Sequence, residues 1–170
     1  MKVVISDGGR AKAGYKGKTG DCVCRSIAIA TGQDYQDVYG ALNEMALSER
    51  PNKRKRGRSS ARTGVRRDTI RRYMKSIGWN WVPTMQIGSG CRVHLRKNEL
   101  PSGRLVVSLS GHLTAVIDGV IYDSHDPQRG GTRCVYGYWC PSVKRTARAT
   151  SSTTPRLSRA LFSWFLTRSP

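Results

Sequence analysis

The string HLTAVIDGVIYDS, residues 112–124, restricts the fold more than any other part of this chain. Two apolar-rich runs of alternating pattern flank Asp118-Gly119, a pair that favours a two-residue hairpin turn. With Asp118 and Gly119 as the loop, Ile117 pairs with Val120. Counting back puts Thr114 opposite Asp123 and His112 opposite His125. Side chains alternate along a strand, and directly opposed residues share a face. His112, Thr114 and Asp123 are therefore expected on one face, with Asp123 diagonal to His112. Asp126 falls on the other parity, so the register selects Asp123 as the carboxylate that orients the histidine.

A second string, GKTGDCVCRSIAIATG, places Cys22 at the start of an expected helix, 22–31, with Gly32 as its stop. In the first turn of a helix, unpaired N–H groups and the macrodipole favour a thiolate and can donate to an oxyanion. Arg25, one turn on, and Lys18, just upstream, are the candidate sources of further positive charge. Cys24 lies roughly 200° around the helix from Cys22 and is expected in the core. A cysteine on a helix N-terminus, facing a histidine and a carboxylate on a hairpin, is the set a cysteine hydrolase needs.

The remaining elements follow from periodicity. A short strand at Val3–Ile5 precedes a Gly- and Lys-rich loop. Residues 34–46 have a helical pattern with Val38, Leu42 and Met45 on one side, and 67–76 a third helix with Ile70, Tyr73 and Met74 inward. From there the period is two, with strands expected at 79–83, 92–95, 105–109, 112–118, 120–124 and 133–139. These add up to an α+β chain, N-terminal helices packed on a C-terminal antiparallel sheet, with the site in the cleft between. One domain over 1–140 is expected, with a basic loop inserted at 48–65. Residues 141–170, rich in Ser and Thr, are expected to be a basic tail in which 156–168 could share a helical face.

Composition matters for partners. Thirty Lys and Arg against eleven Asp and Glu give a formal charge of +19, a field that attracts polyanions. Twelve of the basic residues fall between Arg50 and Lys75, against one acid, Asp68. Lys53, Arg54, Lys55, Arg56, Arg58, Arg66, Arg67 and Arg71 are the candidates for non-specific, salt-sensitive nucleic-acid contact, with a solvated loop and helix face as the plain alternative. No run approaches the ~18 apolar residues of a membrane span, and the N-terminus lacks a secretory apolar core, so a cytoplasmic location is expected. Five cysteines, an odd number, argue against a disulfide framework. Cys91 and His94 have zinc-ligand spacing, with Cys134 and Cys140 as further donors, yet core thiols are the simpler reading. No cofactor and no metal is expected, and the oligomeric state is left open.

The GDC helix start, the basic middle and the block ELPSGRLVVSLSGHLTAVIDGVIYDSHDP together resemble the papain-like cysteine peptidases over about residues 15–140. The bacteriocin-processing peptidase domains of bacterial exporters are the nearest comparison. The strings are also similar to those of small uncharacterised phage and bacterial proteins. The resemblance implies a papain-like fold and a hydrolase acting on a protein or peptide. Cys22 would be the nucleophile, His112 the general base and acid, and Asp123 the holder of the imidazole. Such enzymes usually place a glutamine about six residues before the cysteine; here Lys16 stands there. The alternative expectation is a catalytically inactive, basic, nucleic-acid-associated protein of phage or bacterial type on the same fold.

Overall fold

The computed structural model describes residues 1–50, 57–86 and 88–142. Among them are three helices and one six-stranded mixed sheet. In chain order these are β1 (Lys2–Ile5), α1 (Cys22–Thr31), α2 (Tyr35–Leu47), α3 (Arg67–Ser76), β2 (Trp79–Pro83), β3 (Arg104–Leu109), β4 (His112–Ile117), β5 (Val120–Asp123) and β6 (Gly137–Pro141). The sheet order is β1-β5-β4-β3-β6-β2.

Local chemistry accounts for the helix ends. Gly32 takes φ 74° to stop α1, and its N–H bonds the Ala28 carbonyl. Asp34 caps α2 by accepting from the Gln36 N–H at 2.8 Å. In the hairpin, Asp118 and Gly119 both have positive φ, 47° and 77°, as a turn matched to strand twist requires. Ile117 pairs with Val120, Val116 with Ile121 and Ala115 with Tyr122, the expected register.

The sheet buries both faces. Val106, Ala115 and Trp139 pack under the helices with Val23, Cys24, Ile27, Val38, Leu42, Ile70 and Met74. On the far face Leu105, Val107, Val116 and Ile121 meet Leu95 and Val135 from the loops. Alternation along β3 and β4 is therefore apolar on both sides, as in a covered central strand.

Several expectations need correction. The sheet is not purely antiparallel, because β1 runs parallel to β5 at the edge. A parallel neighbour needs a crossover, and the helices that follow β1 supply it. Residues 92–95 form no strand; His94 makes an isolated bridge to Cys134. The last strand begins at Gly137, so 133–136 is a connecting segment. Met45 is half-buried, and Ala46 takes the inner place.

The cysteine count also misled. Cys91 and Cys134 are joined in a disulfide. The backbone bonds Leu95 N–H to Arg133 O and Val135 N–H to Val93 O, both 2.8 Å, bring these distant segments side by side. The four-residue zinc set is not assembled, since two of its thiols hold each other and His94 Nδ1 lies against Glu99. No helix among the described residues is long and apolar enough to cross a membrane. Lys53, Arg54, Lys55, Arg56 and the 156–168 segment lie outside the described residues.

Candidate active site

Cys22 is the first residue of α1, and the turn before it is held from two sides. Gly20 N–H donates to Arg62 O at 3.0 Å, and the Thr19 hydroxyl donates to the same carbonyl. A β-carbon on Gly20 would lie 3.2 Å from Thr63 O, so the small residue lets the 60–64 turn dock here.

Asp21 occupies the N-cap position but caps nothing. Its fully buried carboxylate turns inward, where it accepts from Tyr35 OH at 2.6 Å and meets Arg10 Nε at 3.0 Å. Arg25 Nε lies 3.0 Å from Asp21 Oδ1 as an ion pair whose N–H is out of line for a hydrogen bond. This cluster anchors the Cys22 turn to α2 and leaves the first-turn N–H groups of α1 free of a side-chain acceptor.

His112 opens β4, and its Nε2 lies 2.7 Å from Asp123 Oδ2. Its ring also interacts with the Cys22 thiol, and with Nε2 taken by Asp123 the nitrogen available to that thiol is Nδ1. Burial would push the Cys22 thiol up, but the His112 bond, the Leu113 N–H and nearby Arg25 outweigh it and hold the thiol low. Burial would likewise depress His112; the Asp123 and Cys22 bonds prevail and raise it to about 9. Asp123 is opposed by burial too, yet His112 and the Ser124 N–H, 2.7 Å from Oδ1, keep its carboxyl low. All three directions favour a thiolate–imidazolium–carboxylate row. Cys24 behaves as expected of a core thiol: burial pushes it up to about 12.

The row opens into a cleft of about 1130 Å³ between the helices and the sheet. Arg25, Arg66, Arg67 and Arg71 line it, together with Trp81, Met85, Leu109, Leu113 and Trp139. Lys18 is exposed and absent from the lining, so its expected place at the site is not realised. Arg58 is exposed on the surface.

Sequence reading passed over three contributors. One is His125, whose Nδ1 lies 3.7 Å from Asp123 Oδ1 and whose ring centroid lies 5.0 Å from His112. The signal was present, since the hairpin count sets it opposite His112. Arg10 and Tyr35 gave no such signal, because their link to Asp21 exists only once the loop and α2 close over α1. His112, Asp123 and His125 offer ligand atoms within 4.8 Å of one another, but the tight His112–Asp123 bond already uses the central pair. No family model, no curated protein and no solved structure matches this chain.

Proposed function

We propose that the protein is a cysteine hydrolase of papain-like type, a peptidase that acts on a protein or peptide through an acyl-enzyme. The observation that carries this reading is the Cys22–His112–Asp123 row inside a cleft large enough for a peptide. The Cys22 thiolate attacks the substrate carbonyl carbon, and the carbonyl π electrons move to oxygen. First-turn N–H groups of α1, left uncapped by Asp21, are placed to stabilise that oxyanion. Collapse of the adduct breaks the C–N bond as the Nδ1 proton of His112 passes to the leaving amine. Neutral His112 then takes a proton from water, the hydroxide attacks the thioester, and the acid leaves as the thiolate returns. Asp123 keeps the imidazole oriented and favours its charged form throughout.

The test is covalent labelling at neutral pH with a thiol-reactive peptidyl epoxide. Wild-type protein should be labelled at Cys22, and Cys22→Ala should not. A wild type that stays unlabelled while fully folded would refute the enzyme.

A further inference from the structure

We infer that the cleft selects a polypeptide with an acidic side chain close to a large apolar one; this rests on the hydrolase reading above and names its substrate class.

The described arginines of the basic stretch do two different jobs. Arg66 is tied inward, its Nε 3.3 Å from Glu49 Oε2 and its terminal nitrogen donating to Arg50 O at 2.9 Å. Arg72 donates to Ser48 Oγ at 2.6 Å and Met45 O at 3.0 Å. Those two fasten α3 to the end of α2. Arg67 and Arg71, four residues apart and so on one face of α3, line the cleft beside Arg66. Both are exposed at the rim. Arg71 has only a long 3.7 Å contact to Asp68, a carboxylate 91% exposed to solvent.

Among the described residues that line the cleft none is Asp or Glu. The lining also includes the large apolar side chains of Trp81, Met85, Leu109 and Leu113. Trp81 packs on Trp139 with centroids 4.3 Å apart and sits so close to Gly137 that a β-carbon there would lie 2.3 Å from its ring. It is half-buried and tilted 54° to Trp139, so it offers apolar surface to an occupant of the cleft. On the hydrolase reading the occupant is a peptide, and its carboxylates are the anions that two exposed arginines pair with.

The experiment compares tripeptidyl acyloxymethyl ketones identical except for Asp, Asn or Lys at each position in turn. Labelling of Cys22 is followed at low and high salt. At one position the Asp probe should label about tenfold faster than the Lys probe at low salt, with the gap narrowing as salt rises. Arg67→Glu combined with Arg71→Glu should reverse the order of the Asp and Lys probes at that position, with circular dichroism establishing that the variant is folded. Equal rates for all three probes in the wild type overturn the inference and leave the hydrolase standing. No labelling by any probe overturns both. Protection of Cys22 by a short single-stranded oligonucleotide, without any Asp preference, reassigns the cleft to nucleic acid and also overturns the inference.

Discussion

Asp123→Asn removes the carboxylate charge and keeps the side chain's shape. In the wild type His112 stands at about 9 against an ordinary 6.5, with burial opposing and the Asp123 and Cys22 bonds raising it. At ~1.4 kcal/mol per tenfold, that elevation corresponds to roughly 3 kcal/mol in favour of the imidazolium. Asp123 and Cys22 share it, so the variant loses about 1–2 kcal/mol of it, a factor of ~5–30. The signs follow. His112 falls in the variant, so the imidazolium beside the thiolate is lost at a lower pH. The pH window of the ion pair therefore narrows from above. Its upper limb moves down from near 9 by about 0.7–1.5 pH units. The assay is the rate of Cys22 alkylation by iodoacetamide across pH, with circular dichroism to establish folding. Asp126→Asn is the control, because Asp126 serves only Gln128, at 2.9 Å to its N–H and 3.2 Å to its Nε2. Superimposable profiles for wild type and Asp123→Asn, or an equal shift in Asp126→Asn, would show the reasoning to be wrong.

Asp21→Asn should cost about 3–5 kcal/mol, since Arg10 and Arg25 would keep their charges without the buried carboxylate that answers them; the midpoint of urea unfolding measures it. Cys91→Ser should lower stability by roughly 3–4 kcal/mol under oxidising conditions, the disulfide closing a separation of 43 residues. Reductant should bring the wild type down to the variant, and a wild type insensitive to reductant would show that the bridge contributes nothing. Gly137→Ala should push Trp81 off its seat, with a change in tryptophan fluorescence, slower labelling of Cys22 and a loss of about 1–3 kcal/mol.

The hairpin around Asp118-Gly119 was legible because its information is local. A turn that needs positive φ at two positions, and a period of two on either side, fix which residues share a face whatever else the chain does. The same holds for α1, whose Gly32 stop and apolar spacing placed Cys22 on the first turn. What joins these two pieces was not local. The docking of Gly20 on Arg62, the inward turn of Asp21 to Arg10 and Tyr35, and the disulfide between Cys91 and Cys134 all join residues far apart in sequence.

The basic stretch shows the division most clearly. Composition alone could state its charge and that it attracts anions. Only the tertiary structure separated Arg66, bound to Glu49 and two backbone carbonyls, from Arg67 and Arg71, which face the cleft. The residue type fixes a charge, but packing decides whether that charge meets a carboxylate of the chain itself or is left for another molecule. So the sequence by itself determined the elements, the hairpin register and the candidate chemistry. The approach of the helix to the sheet decided whether the thiol, the imidazole and the carboxylate could meet.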